Sequence, residues 1–214
     1  MTGKFITIEG AEGVGKSTNI AYIEKLLDEV GIKHIATREP GGTPLAERIR
    51  DLLLDKSEQN MDPLAELLLM FAARRQHLQE LIWPALASGH WVICDRFTDS
   101  TYAYQGAGRG LDPTIISRLE VLCLGDFQPD LTLILDLNIE AGMNRAAERG
   151  DLDRFESEDI AFFRRVRQGF LDRAVTAGRY RVIDASQPLL QVQAQIKQIL
   201  TRLPGYEGGP DGVA

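Results

Sequence analysis

The stretch Gly10-Ala11-Glu12-Gly13-Val14-Gly15-Lys16-Ser17 constrains this chain more than any other. It fits G-x-x-x-x-G-K-[ST], the phosphate-cradling P-loop, and lies directly after the apolar run Phe5-Ile6-Thr7-Ile8. Phosphates crowd negative charge and acceptor oxygens into a small volume, so a site for them needs many donors close together. Glycines at 10, 13 and 15 let the backbone turn tightly and aim its N–H groups inward. The stretch from Lys16 to Val30, with Ile20, Ile23, Leu27 and Val30 on one face, reads as a helix whose amino end adds its amides and dipole. In such a loop Lys16 reaches the β- and γ-phosphates, and the Ser17 hydroxyl ligates Mg²⁺.

Strand-like runs recur at Phe5–Ile8, His34–Thr37, Trp91–Asp95, Leu131–Leu137 and Tyr180–Ile183, separated by helical patterns. That alternation predicts a three-layer α/β fold with a five-stranded parallel sheet. The 214 residues suit one domain, taken here as 1–203, with Pro204 to Ala214 as a frayed Gly/Pro-rich tail. Thr43-Pro44, Asp62-Pro63 and Asp112-Pro113 each set a capping side chain before proline, marking helix starts. The helix from Pro63 to about Ser88 is expected to bury Leu64, Leu68, Phe71, Leu78 and Ile82 and to bend at Pro84. The last helix, about Leu189 to Leu200, is expected to turn Leu189, Val192, Ile196 and Ile199 inward.

The net charge of −7 argues against a nucleic-acid or anionic-membrane surface, since counterion release needs a basic face. A pocket for a small anion remains compatible with that balance. Cys94 and Cys123 have neither metal-ligand nor C-x-x-C spacing and read as buried thiols of a reducing cytoplasm. There is no signal-peptide pattern and no apolar run long enough to cross a bilayer. The expectation is a cytoplasmic protein.

Open parallel sheets bind ligands at the carboxyl ends of their strands. Here those ends carry Arg38-Glu39-Pro40-Gly41-Gly42 and Asp95-Arg96 as well as the P-loop. Asp95 and Asp136 both end apolar strands, leaving two candidates for the acid that organises Mg²⁺; Arg96 and the polar run Thr98 to Gln105 favour Asp95. Arg74 and Arg75 interrupt an apolar helix stripe beside Phe71, either as snorkelling or paired side chains or as the lining of a pocket for a flat ligand. The charged segment Asn144 to Arg154 reads as a solvated salt-bridge face or as a lid presenting arginines to phosphates.

Taken together these motifs resemble the thymidylate kinase family. The likeness rests on Ile8-Glu9-Gly10 through Thr18, Thr37-Arg38-Glu39-Pro40-Gly41-Gly42-Thr43 and Phe71-Ala72-Ala73-Arg74. It continues through Asp95-Arg96-Phe97, Ser100, Ala103-Tyr104-Gln105-Gly106, Pro129-Asp130-Leu131-Thr132 and Leu152-Asp153-Arg154-Phe155-Glu156. The resemblance implies a nucleoside monophosphate kinase fold with a lid at about 144–156 and ATP bound by residues 10–18, Ala11, Val14 and Thr18 among them. It implies transfer of the ATP γ-phosphoryl group to dTMP with Mg²⁺, in a homodimer packed through helices. Arg38 and Arg96 would hold the acceptor phosphate, Arg74 and a neighbouring aromatic the thymine, and Tyr104 the deoxyribose. Ser100, Thr101 and Gln105 belong to the same dTMP site. Glu12 matches the subgroup with an acidic P-loop residue, whose catalytic arginine comes from the lid: Arg149 first, with Arg145 and Arg154 beside it.

Two departures from the family pattern stand out. Ala147 occupies a position where related lids often hold another arginine. The stacking phenylalanine usually lies four residues before the arginine, which pairs Met70 with Arg74 or Phe71 with Arg75. A uridylate or cytidylate kinase is the nearest rival reading. A regulatory GTPase is a more distant one, because the chain has no N-K-x-D guanine-recognition motif.

Overall fold

The computed structural model describes residues 3–58, 61–147, 154–155 and 157–206. Its strands are β1 (Phe5–Glu9), β2 (His34–Arg38), β3 (Trp91–Asp95), β4 (Leu131–Asp136) and β5 (Tyr180–Asp184). They pair in parallel in the order β2-β3-β1-β4-β5, and each matches an expected run to within one residue. The inner strands are buried on both faces, which is why they read as unbroken apolar runs. Side chains alternate between two cores: Ile6, Ile8 and Ile93 enter one, while Phe5, Val92 and Cys94 enter the other.

The helices are α1 (Lys16–Glu29), α2 (Pro44–Leu54), α3 (Pro63–His77), α4 (Trp83–Ala87), α5 (Thr98–Thr101), α6 (Pro113–Leu124), α7 (Ile139–Ala147), α8 (Ile160–Ala174) and α9 (Leu189–Leu200). Among the described residues none is long and apolar enough to cross a membrane. The three proline starts are capped as expected: Thr43 accepts from the Ala46 amide, Asp62 from Leu64 and Ala65, and Asp112 from Thr114. The chain leaves β1 toward β2 on one side and leaves β3 toward β4 on the other. A crevice therefore opens between the carboxyl ends of β1 and β3, where the P-loop and Asp95-Arg96 emerge.

Several expectations need correction. Leu64 and Leu68 face outward; Leu67, Phe71, Leu78 and Ile82 form the buried side with Ala73 and Arg74. Leu189 is also outward, and Leu200 takes the inner place beside Val192 and Ile196. In both helices the apolar set was wider than one face, and position along the packed surface decided which leucines entered. The break precedes Pro84 rather than falling on it: Leu78–Ile82 is a π turn, and the Trp83 amide bonds the Leu78 carbonyl five residues back. The proline ring presses on the carbonyl four residues earlier, and widening the preceding turn relieves that contact. Cys94 is buried but Cys123 only partly so. Within the expected tail Tyr206 packs into the larger core, and residues 207–214 lie outside the described residues.

One close contact ties the P-loop to α7. A Cβ on Gly13 would sit 1.9 Å from the Gly142 carbonyl oxygen, and one on Gly142 would sit 2.5 Å from the Glu12 carbonyl oxygen. Backbone meets backbone here with no side chain that can yield. Gly142→Ala is expected to cost about 1–3 kcal/mol of stability, read as a lower urea midpoint with unchanged slope. Gly178→Ala, with nothing within 4 Å of its added Cβ, should stay within about 0.5 kcal/mol of the parent.

Candidate active site

The P-loop turns into α1 through Gly15 at φ 88°, so the first amides of that helix face the crevice. Ser17 and Thr18 stand exposed on this first turn. Lys16 is buried, with its Nζ 3.3 and 3.2 Å from the carbonyl oxygens of Gly10 and Ala11. Burial lowers its pKa and the charge of Arg96 adds to that; Glu12 and Asp95 work in the opposite direction. Gly10 and Ala11 thus form the floor of the loop rather than its rim.

Arg96 is the only non-glycine described residue with positive φ, at 68°. Such a conformation costs energy and must be imposed by its surroundings. Its amide bonds the Ile8 carbonyl at 3.0 Å, and Nη1 donates to the Gly10 carbonyl at 2.9 Å and to Ser100 Oγ at 3.2 Å. Nη2 meets Glu12 Oε1 at 2.6 Å, an oxygen that also accepts from the Tyr104 hydroxyl at 2.8 Å. The guanidinium lies 4.9 Å from the Tyr104 ring centre. Burial works against the charge of Arg96, and Glu12, Tyr104, Asp95 and Glu9 together outweigh it, holding the pKa above its ordinary value.

Arg74, in α3, is nearly fully buried, and each of its three guanidinium nitrogens makes one hydrogen bond among the described residues, leaving two N–H groups over. Nε bonds Glu39 Oε2 at 2.6 Å, Nη1 bonds Thr101 Oγ1 at 3.0 Å and Nη2 bonds the Phe97 carbonyl at 3.1 Å. His77 holds the other Glu39 oxygen at 3.1 Å. The expectation that Phe71 borders the pocket is overturned: it is 2% exposed, packed with Leu67, Leu78 and Phe97 in the second core. Arg74, itself part of the cavity lining, lies 5.0 Å from its ring centre, and Met70 rather than Phe71 lines the wall. The stripe of α3 is ambiguous at 70 and 71, and no spacing rule separates a core position from a wall position one residue away. Arg75 is exposed and bonds the Cys123 carbonyl.

These groups surround one cavity of about 440 Å³. It is lined by Glu12 through Thr18 on one side and by Arg38, Arg74, Asp95, Arg96, Ser100, Thr101, Tyr104 and Gln105 on the other, with Arg145 of α7 at the mouth. Met70, weighed above as the alternative to Phe71, also lines it, as do Glu39, Pro40, Arg50, Leu54, Phe97 and Phe155, which sequence reasoning did not place in the site. Arg38 is half exposed and pairs with Glu47 at 2.9 Å. Of the two acid candidates, Asp136 is engaged on both oxygens by Arg167 at 2.7 and 2.8 Å. Asp95 lines the cavity, and its buried Oδ1 has no hydrogen-bond partner among the described residues. Arg149 and residues 148–153 and 156 of the expected lid lie outside the described residues. Arg154 is not a lid arginine facing the cavity: it is buried, bonding the Leu53 carbonyl at 2.8 Å and Glu66 at 2.7 Å.

A P-loop facing a cluster of arginines across the switch point of a five-stranded parallel sheet defines a P-loop protein with the nucleoside monophosphate kinase fold. The family model described as thymidylate kinase matches residues 8–196. The chain is 60% identical to a thymidylate kinase of Teredinibacter turnerae over 201 residues, covering 94% of this chain and 98% of that one. It is 60% identical over 204 residues to one of Ectopseudomonas mendocina, covering 95% and 97%. The crystal structure of thymidylate kinase from Ehrlichia chaffeensis superposes with a TM-score of 0.75 at 37% identity, covering 94% of this chain and 99% of that chain. The chain belongs to the thymidylate kinase family.

The two edges of the crevice are joined by Glu9, the last residue of β1. Its carboxyl group accepts from the Phe97 amide at 2.7 Å and from Ser100 Oγ at 2.6 Å. Burial, followed by repulsion from Asp99, raises its pKa from 4.5 to about 8, against the opposing pull of Ser100, Arg96 and Phe97. The unfolded chain releases this proton near pH 4.5 and the folded chain keeps it to about 8. Stability contributed here therefore falls as pH rises between those values, by roughly one kcal/mol per pH unit, and is flat above them. Chemical denaturation from pH 5 to 8 should show wild type losing stability relative to Glu9→Gln across that window.

Proposed function

We propose that this chain transfers the γ-phosphoryl group of ATP to dTMP, giving ADP and dTDP. The observation that carries this reading is a single cavity with a P-loop on one wall and Arg96, Arg38 and a braced Arg74 on the other. Membership of the thymidylate kinase family selects the acceptor over UMP or CMP.

The acceptor is a phosphate monoester, largely dianionic near neutral pH, so its attacking oxygen needs no general base. The barrier is electrostatic, because two polyanions must be held in line while charge moves toward the β–γ bridging oxygen. In this reading the P-loop amides, Lys16 and Thr18 hold the ATP phosphates, and Arg38 and Arg96 hold the phosphate of dTMP. Tyr104 flanks the deoxyribose, with Ser100 beside the acceptor and Arg74, Thr101 and Gln105 around the base. The Glu12 carboxylate, which pairs with Arg96 in this structure, sets the orientation of that guanidinium.

Mg²⁺ suits the residues present. A buried Asp95 oxygen without a partner among the described residues and an exposed Ser17 hydroxyl border the same cavity, an all-oxygen donor set appropriate to a hard cation. Asp95 and Ser17 would hold the ion, whose positive charge would offset the negative charge of the donor phosphates. We assign the lid to 144–156, with Arg149 as its catalytic arginine and Arg145 on the ATP phosphates; support for Arg145 is its place in the cavity lining. The reading includes a cytoplasmic homodimer, supported by two free cysteines and by the outward-facing Leu64 and Leu68 of α3. Monomeric mass in solution would refute the dimer.

A coupled ADP-release assay across dTMP, dUMP, UMP and CMP tests the acceptor, and preference for UMP or CMP overturns it. Lys16→Ala should abolish nearly all transfer while the fold, followed by circular dichroism, is kept. Arg149→Ala should lower the turnover number much more than it weakens dTMP binding, and an unchanged turnover number removes Arg149 from the role.

A further inference from the structure

Gln105 lies in the π turn Tyr102–Gly108 that forms one side of the cavity. Its side-chain Nε2 donates to Glu66 Oε1 at 2.8 Å. Glu66 is fully buried in α3 between two guanidinium groups: Arg154 Nη2 meets its Oε2 at 2.7 Å, and Arg109 Nη2 meets the same oxygen at 3.4 Å. A carboxylate so placed accepts hydrogen bonds and has none to give. It therefore settles which end of the Gln105 amide turns toward it. The NH₂ group must face Glu66, which leaves Oε1 as the end available to the cavity.

Arg74, a group with donors only, lines the same cavity. A ligand edge that matches this pair offers an N–H to Gln105 and a carbonyl oxygen to Arg74. The imide edge of thymine and uracil has that order, with N3–H next to a carbonyl. The corresponding edge of cytosine has an unprotonated ring nitrogen next to an amino group, so it sets acceptor against acceptor and donor against donor.

We propose that Glu66, which need not touch the substrate, is a positioning residue that makes the cavity select an imide base over cytosine by fixing the orientation of the Gln105 amide. The proposal rests on the acceptor reading given above and adds the group that enforces it. Sequence reasoning passes over Glu66 because it is an acid in an apolar helix stripe, four residues before the cavity-lining Met70. Its three partners come from the π turn, from Arg109 just after it and from Arg154 beyond α7, and no local pattern links them.

Glu66→Gln keeps the shape but can donate as well as accept, so the Gln105 amide is free to turn over. The ratio of kcat/KM for dTMP to that for dCMP should fall by about tenfold to a hundredfold, the scale of one mismatched buried hydrogen bond. Glu66→Asp, still acceptor-only, should keep a ratio nearer wild type. A Glu66→Gln ratio equal to wild type, whatever the change in melting temperature, overturns the proposal. If wild type itself fails to prefer dTMP, the acceptor reading fails, which is a different result. Should Glu66→Gln not fold, nuclear magnetic resonance of the wild-type Gln105 side-chain amide decides. Slow solvent exchange of its NH₂ protons, retained when dTMP is added, supports a group held on Glu66. Fast exchange in the free and dTMP-bound forms, or a large dTMP-induced change in the NH₂ shifts, overturns it.

Discussion

The crevice holds its shape because β1 and β3 are joined beyond the point where their ladder ends. Ile8 and Asp95 are paired in register, and the Arg96 amide adds one more bond to the Ile8 carbonyl. Glu9 then spans to the Phe97 amide and the Ser100 hydroxyl. Those bonds impose positive φ on Arg96 and swing its side chain over the root of the P-loop, where the Gly10 carbonyl and the Glu12 carboxylate receive it. A phosphate-binding loop and an arginine separated by eighty residues of chain are thereby set as one rigid unit. Preorganised charge of this kind costs no rearrangement when a polyanion arrives.

The electrostatics of the molecule are uneven by design of the fold. The chain as a whole carries a net charge of −7. Its cavity is lined by Lys16, Arg38, Arg50, Arg74, Arg96 and Arg145 against only Glu12, Glu39 and Asp95. The buried arginines are not left bare: Arg74 has Glu39 and Arg96 has Glu12, each at 2.6 Å. Removing one partner of such a pair strands a buried charge, which costs far more than an exposed pair contributes. Glu39 and Glu12 therefore act as fixed counter-charges that hold Arg74 and Arg96 in the cavity wall.

How much of this could be read from residues alone depends on the range of the interaction. The strands were legible because buried parallel strands write themselves as apolar runs, and the P-loop because its glycines must be contiguous. Arg38 and Arg96 were legible from their place at strand ends, and Arg74 and Tyr104 through the family motifs that contain them. Phe71 and Met70 were not separable, since one residue of rotation moves a side chain from core to wall. Leu64 and Leu68 misled for a related reason: α3 carries more leucines than its buried face can use. Glu9, Glu39 and Glu66 were invisible as a group. Each is an acid in an apolar setting whose partners lie from 35 to 91 positions away in sequence.

The backbone contact between Gly13 and Gly142 has a mechanical consequence. Helix α7 carries Arg145 one turn beyond Gly142 and rests directly on the peptide that leads into the phosphate loop. Any tilt that brings Arg145 nearer a nucleotide must pivot on that peptide, as a lever does on its fulcrum. The arm that carries the arginine and the loop built to take phosphates thus share one bearing, and a shift of either peptide is felt by the other.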